Sequence, residues 1–215
     1  MGQFYWVRHA ESDWNAEDRL CGRTDAPLSE RGRLQARRLA ERFAALPVEA
    51  LYTSPLRRAV ETAELIAERH GIQPVVEPRL VELNYGAWEG MTFAEILQRD
   101  GGIFHAWDAD PAAVATPAGE SGEEALARTT PFLDTLRGRH PQGNAVVVSH
   151  KTISRLMVCY VLGLSPSEYR RRLTVDNAAV SIIQPEEGGW RLVLLNDTSH
   201  LAVPGTRAPT TDGVF

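Results

Sequence analysis

Two histidines in this chain stand directly behind short apolar runs: His9 after Phe4-Tyr5-Trp6-Val7-Arg8, and His150 after Val146-Val147-Val148-Ser149. An imidazole can attack phosphorus and carry the group covalently, while the guanidinium of an adjacent arginine such as Arg8 binds phosphoryl oxygens through paired hydrogen bonds. A second imidazole beside that group can donate to an equatorial oxygen in the transition state. Arg57 and Arg58 follow Ser54-Pro55 where a helix begins. Free amides and the positive end of the helix dipole attract an anion there. Cations are otherwise mildly unfavourable at that end, so the pair points toward a bound anion.

Between these lies Val81-Glu82-Leu83-Asn84-Tyr85-Gly86-Ala87-Trp88-Glu89-Gly90. Either of its carboxylates, Glu82 or Glu89, can protonate a leaving alkoxide and then activate water. The residues alone do not choose between them. Each segment taken singly also fits an ordinary surface or strand-end residue. Two strand-terminal histidines with arginines behind two strands of one sheet make the functional reading the stronger one, because ligands of open parallel sheets bind outside the carboxyl ends of the strands.

The elements that must position these groups are legible from period and punctuation. Strand-like runs cover Phe4 to Val7, Ala50 to Thr53, Pro74 to Glu77, Ala145 to Ser149, Val180 to Gln184 and Trp190 to Leu195. Segments of helical period alternate with them: from an N-cap at Ser29 to about Leu46, from Ser54-Pro55 to near Gly71, and over Thr92 to Arg99, Gly122 to Arg137 and Thr152 to Leu162. This alternation predicts an α/β three-layer sandwich, with a mostly parallel central sheet of about six strands and helices on both faces. Glu186-Glu187-Gly188-Gly189 reads as a hairpin turn and makes one edge strand antiparallel. Gly101 to Gly119 reads as an irregular insertion, and the tail after Leu201, rich in proline and glycine, lacks periodicity. One domain over 1–215, with 202–215 as a flexible tail, is the simplest organisation.

Composition narrows the partners. The chain has 215 residues, 43% of them apolar and 24% charged, with a formal net charge of −5. That balance suits a soluble, compact globular protein and gives no basic footprint for nucleic acid. The N-terminal apolar run meets Arg8 too soon for a signal peptide or membrane helix, so no membrane partner is expected. Two distant cysteines, Cys21 and Cys159, have neither disulfide-scaffold nor metal-ligand spacing. A cytoplasmic protein without a metal or other cofactor follows.

Taken in order, the four segments resemble the histidine phosphatase superfamily, also called the phosphoglycerate mutase-like family, over roughly residues 4 to 200. The resemblance implies that His9 is the nucleophile and that Arg8, Asn15, Arg58 and His150 hold the phosphate. It assigns the proton donor to Glu82 and leaves Glu89 in the Trp-Glu-Gly element that follows. Arg23-Thr24-Asp25-Ala26-Pro27-Leu28-Ser29-Glu30-Arg31-Gly32 is similar to the family's turn into its first long helix. Lys151 departs from the glycine that many members carry after the second histidine. The implied activity is metal-independent hydrolysis of a small phosphorylated metabolite through a phosphohistidine. The segment around Leu83 to Gly90 looks like the phosphatase branch. A cofactor-dependent mutase and a non-catalytic phosphate-binding module are the alternatives, and relatives often form homodimers. Trp107 and the loop near Tyr85 are expected to shape the leaving-group pocket, and His200 is a candidate for a lid over the site.

Overall fold

The computed structural model describes residues 2–202. Its strands are β1 (Phe4–Arg8), β2 (Ala50–Thr53), β3 (Val75–Val76), β4 (Ala145–Ser149), β5 (Val180–Glu186) and β6 (Gly189–Asp197). Its helices are α1 (Asp13–Ala16), α2 (Glu30–Phe43), α3 (Arg57–Glu68), α4 (Phe93–Ala109), α5 (Gly122–Arg139), α6 (Lys151–Leu162) and α7 (Tyr169–Arg172). The strands form one sheet in the order β3-β2-β4-β1-β5-β6. β3, β2, β4 and β1 pair in parallel, whereas β5 runs against both of its neighbours. The reversed strand is therefore one position in from the edge, and β6 closes that side through the expected hairpin.

Period-two alternation divides the sheet into two apolar faces. Phe4, Trp6, Tyr52 and Val147 pack with α5 and α6 through Phe132, Leu133, Ile153 and Met157. Tyr5, Val7, Leu51, Val146 and Val148 pack with α2 and α3 through Leu39, Phe43, Ala63 and Ile66. The central strands β1 and β4 are buried along their full length, which is why they read as unbroken apolar runs. Ser29 caps α2 as expected, accepting from the amide of Gly32 at 2.9 Å.

The stretch from Gly101 onward departs from its expectation. The first helical segment of α4 ends near Arg99 as expected, where Asp100 leaves helical geometry at φ −128° and ψ 32°, but a second helical segment follows at once and runs to Ala109. Two consecutive glycines are poor helix formers, and tertiary contacts override them. Trp88 Nε1 donates to Asp100 Oδ2 at 2.7 Å, and the rings of Phe104 and Trp107 pack on Trp88. Only the part after Ala109 is irregular. The expected tail falls, from residue 203 onward, outside the described residues.

Candidate active site

Register brings the two histidines together. β1 and β4 pair in parallel with Arg8 opposite Ser149, so the chains leave the sheet side by side and the His9 amide donates to the Ser149 carbonyl at 2.9 Å. The two rings lie 5.0 Å apart between centroids. β2 lies on the other side of β4 and delivers Ser54, whose amide donates to the Val148 carbonyl at 3.0 Å, and then α3 with Arg58. Three neighbouring parallel strands thus end at one point.

His9 is 3% exposed. Its Nδ1 lies 2.6 Å from the Ala10 carbonyl, an acceptor only, so that nitrogen carries the proton. Nε2 is left with a lone pair, which Arg58 Nε approaches at 3.2 Å as donor. Burial, then the charges of Arg58 and Arg8, hold the ring well below the usual histidine pKa. A buried, neutral imidazole with Nε2 unprotonated is the nucleophilic form.

Arg58 is fully buried near the start of α3, a helix without a side-chain N-cap. Its Nη1 and Nη2 donate to the carbonyls of Thr24 (2.9 Å) and Gly22 (2.7 Å). These offset the burial of its charge and aim Nε at His9. Arg8 donates from Nη1 to the Val175 carbonyl at 2.6 Å. Asn15 belongs to a capping box with Ser12. Its Oδ1 accepts from Ser12 and from Asn177 Nδ2, and its Nδ2 faces the Cys21 sulfur at 3.9 Å.

His150 is buried, and its Nε2 lies 2.7 Å from Ser54 Oγ. Its Nδ1 is buried without a hydrogen-bond partner among the described residues. Burial and then the charge of Arg58 keep this ring, too, well below the usual pKa.

The two glutamates part company. Glu82 is buried, with Oε1 accepting from the Leu83 amide (2.8 Å) and Oε2 from the Thr152 amide (3.2 Å), two residues past His150. Glu89 is a clasp: it accepts from the amides of Arg23, Thr24 and Tyr85 and from the Thr24 hydroxyl. It thereby holds in place the turn whose carbonyls bind Arg58.

The structure thus gathers His9, Arg8, Arg58, Asn15, His150 and Glu82. It places His200 elsewhere: its ring hydrogen-bonds Arg42 on α2 at 3.1 Å, not the His9 cluster. Sequence reasoning gave no role to Ser54 or Asn177, or to Thr62, which bonds the Ala10 amide at 3.1 Å. A serine at the end of β2 gains meaning only once β2 is known to neighbour β4. Trp107 and Tyr85 do meet, their rings 6.2 Å apart. Among the described residues, no group of three or more His, Cys, Asp or Glu is arranged to hold a metal, and no helix is long and apolar enough to cross a membrane.

Comparison with known proteins agrees with this geometry. The profile of the histidine phosphatase superfamily, branch 1, matches residues 4–198. The chain is 38% identical over 201 residues to phosphoserine phosphatase 1 of Hydrogenobacter thermophilus, covering 94% of this chain and 95% of that one. It is 34% identical over 209 residues to a probable phosphoglycerate mutase, GpmB, of Cronobacter sakazakii, covering 95% and 97%. A solved mycobacterial glucosyl-3-phosphoglycerate phosphatase superposes with a TM-score of 0.83 at 29% identity, covering 92% of this chain and 99% of that one. With the profile match spanning nearly all of the described residues, the chain belongs to the histidine phosphatase superfamily, branch 1.

Proposed function

We propose that this protein hydrolyses small phosphomonoesters through a phosphohistidine on His9, without a metal ion. The observation that carries the reading is the unprotonated Nε2 of a buried His9, accepting from Arg58 Nε at 3.2 Å and beside a second buried histidine whose Nδ1 lacks a hydrogen-bond partner among the described residues. In this scheme Nε2 attacks phosphorus in line, the ester P–O bond breaks, and Glu82 gives its proton to the departing alkoxide. Arg8, Arg58, Asn15 and His150 bind the three equatorial oxygens while charge shifts among them. Water then attacks the phosphohistidine, its proton passes to Glu82, the P–N bond breaks and phosphate leaves. The unpaired, buried Cys21 and Cys159 suit a reducing cytoplasm.

The phosphatase names of two of the relatives support hydrolysis. The relative named as a mutase favours a second reading, in which an alcohol rather than water takes the phosphoryl group. Exchange between phosphoglycerates that depends on a bisphosphorylated primer would mark that case.

The test is hydrolysis of an aryl phosphate in excess chelator by wild type and His9→Ala. Chelator-resistant turnover, an acid-labile phosphoenzyme, and a loss on the order of 10³-fold or more in the variant are expected. Turnover that survives in His9→Ala would remove His9 from the mechanism.

A further inference from the structure

The stretch of chain that leads into β5 wraps the end of β1. Across residues 175–179, the Val175 carbonyl accepts from Arg8 Nη1 at 2.6 Å, the Ala179 carbonyl from the Arg8 amide at 3.1 Å, and the Ala178 amide donates to the His9 carbonyl at 3.1 Å. Asn196 on β6, itself at φ +55°, seats this loop. Its Oδ1 accepts from the Asp176 amide at 2.7 Å, and its Nδ2 donates to Asp176 Oδ2 at 3.0 Å. The hairpin at the far end of the chain thus fixes a segment that grips two residues of the phosphate site.

Between those anchors stands Asn177, partly buried. Its side-chain NH2 group makes two bonds, to the His9 carbonyl at 3.3 Å and to Asn15 Oδ1 at 3.2 Å. A carbonyl can only accept, so the NH2 end of Asn177 must face His9, and its second proton falls to Asn15. Asn15 Oδ1 is thereby committed, since it also accepts from the Ser12 amide at 3.2 Å and hydroxyl at 3.0 Å. The other end of that side chain, Nδ2, meets only the Cys21 sulfur among the described residues, at 3.9 Å, and a thiol is a weak acceptor. Cys21 adjoins Gly22, whose carbonyl holds Arg58, so Asn15 offers its donor on the side of that arginine. Ser12 is the N-cap of α1 and Asn15 lies within that helix, so the bonds between them orient the amide without reaching His9. Asn177 makes that link.

We infer that Asn177 is a positioning residue: it carries the polarity of the His9 carbonyl across to Asn15, so that Asn15 presents an N–H rather than a C=O to a phosphoryl oxygen beside the nucleophile. A role of this kind rests on the phosphatase reading, in which Asn15 is a phosphate ligand, but it is testable without turnover.

Full-length protein labelled with nitrogen-15 is titrated with inorganic phosphate, following the Asn15 side-chain amide signal, which is identified by its loss in Asn15→Ala. Phosphate should shift that signal in wild type. Asn177→Leu is close to asparagine in shape and has no donor. It leaves the His9 carbonyl its bond from Ala178 and Asn15 Oδ1 its bonds from Ser12, so the fold should persist. Asn177→Ala serves where leucine does not fit. Phosphate should bind at least about fivefold more weakly to Asn177→Leu and to Asn15→Ala, whereas the double variant should fall within about twofold of Asn15→Ala alone, because a residue acting through another adds nothing once that other is gone. An asparagine that merely supports the fold would give losses that multiply. Multiplying losses, wild-type affinity in Asn177→Leu, or an Asn15 signal that ignores phosphate in wild type would each overturn the positioning role. Hydrolysis of an aryl phosphate separates the two ideas. Turnover without the coupling sinks the positioning role and leaves the phosphatase, whereas coupling without turnover of any ester sinks the phosphatase and leaves the positioning role.

Discussion

The hydroxyl of Ser54 is expected to select the tautomer of His150. Ser54 Oγ accepts from the Leu56 amide at 3.3 Å and lies 2.7 Å from His150 Nε2, and the form expected in catalysis is the one in which Ser54 donates to that nitrogen. That form puts the ring proton on Nδ1, the buried nitrogen without a hydrogen-bond partner among the described residues, where it can serve a phosphoryl oxygen. Ser54→Ala is expected to lower kcat roughly 10-fold to 100-fold with little change in KM, less than the 10²–10³-fold typical of deleting the donor itself. Nitrogen NMR of the His150 ring should show Nδ1 protonated in wild type and a tautomer mixture in Ser54→Ala, and Ser54→Thr should restore the wild-type signature. An unchanged tautomer would reduce Ser54 to packing. His9 was legible at this scale because its neighbours in sequence, Arg8 and Ala10, are also its neighbours in space. Ser54 was not, because its partner is 96 residues away.

At the scale of elements, the turn at 22–24 is what turns a helix-start arginine into a site residue. Its carbonyls fix Arg58 and its amides are held by Glu89, so two segments 65 residues apart act as one brace. Gly22 has φ +52°, and a Cβ there would lie 2.1 Å from Glu89 Oε1. Gly22→Ala therefore strains the backbone and forces the clasp open. A loss of about 1–3 kcal/mol in denaturant unfolding is expected, with kcat/KM falling at least tenfold as Arg58 loses its alignment. Full activity in that variant would show that the brace does not position Arg58. The resemblance made this segment recognisable and took Glu89 out of the donor role, yet nothing in the sequence showed that Glu89 braces this turn. α4 is the converse case. The helix breaks at Asp100 as expected, but a second helical segment instead of an irregular stretch carries on through the glycine pair to Ala109, because Trp88, Phe104 and Trp107 pack across the bend.

Across the whole molecule, burial of neutral histidines ties stability to pH. His9 and His150 are held well below the usual range chiefly by burial, and His200 is lowered to about 4 by burial and then by Arg42. A histidine whose pKa is depressed in the fold binds its proton more readily unfolded. Its contribution is complete above the unfolded value of about 6.5 and is lost as pH falls toward the folded value. Denaturant midpoints should therefore drop between pH 6.5 and 4. His200→Gln, remote from the His9 cluster, should flatten that slope without altering activity at pH 7. A slope identical in wild type and variant would remove His200 from the acid response.

The sequence by itself determined the class of fold, the alternation of strands and helices, and His9, Arg8, His150 and the Arg57-Arg58 pair as the groups worth watching, the choice of Arg58 within that pair coming from the resemblance. These follow from local facts: period, turn chemistry, and residue type at the ends of apolar runs. Tertiary structure decided the rest. Strand order set His150 beside His9 and Ser54 beside His150, and the packing of distant loops separated Glu82 at the first turn of α6 from Glu89 in its clasp. Which strands become neighbours depends on free energy summed over both faces of the sheet, and no residue carries that sum alone.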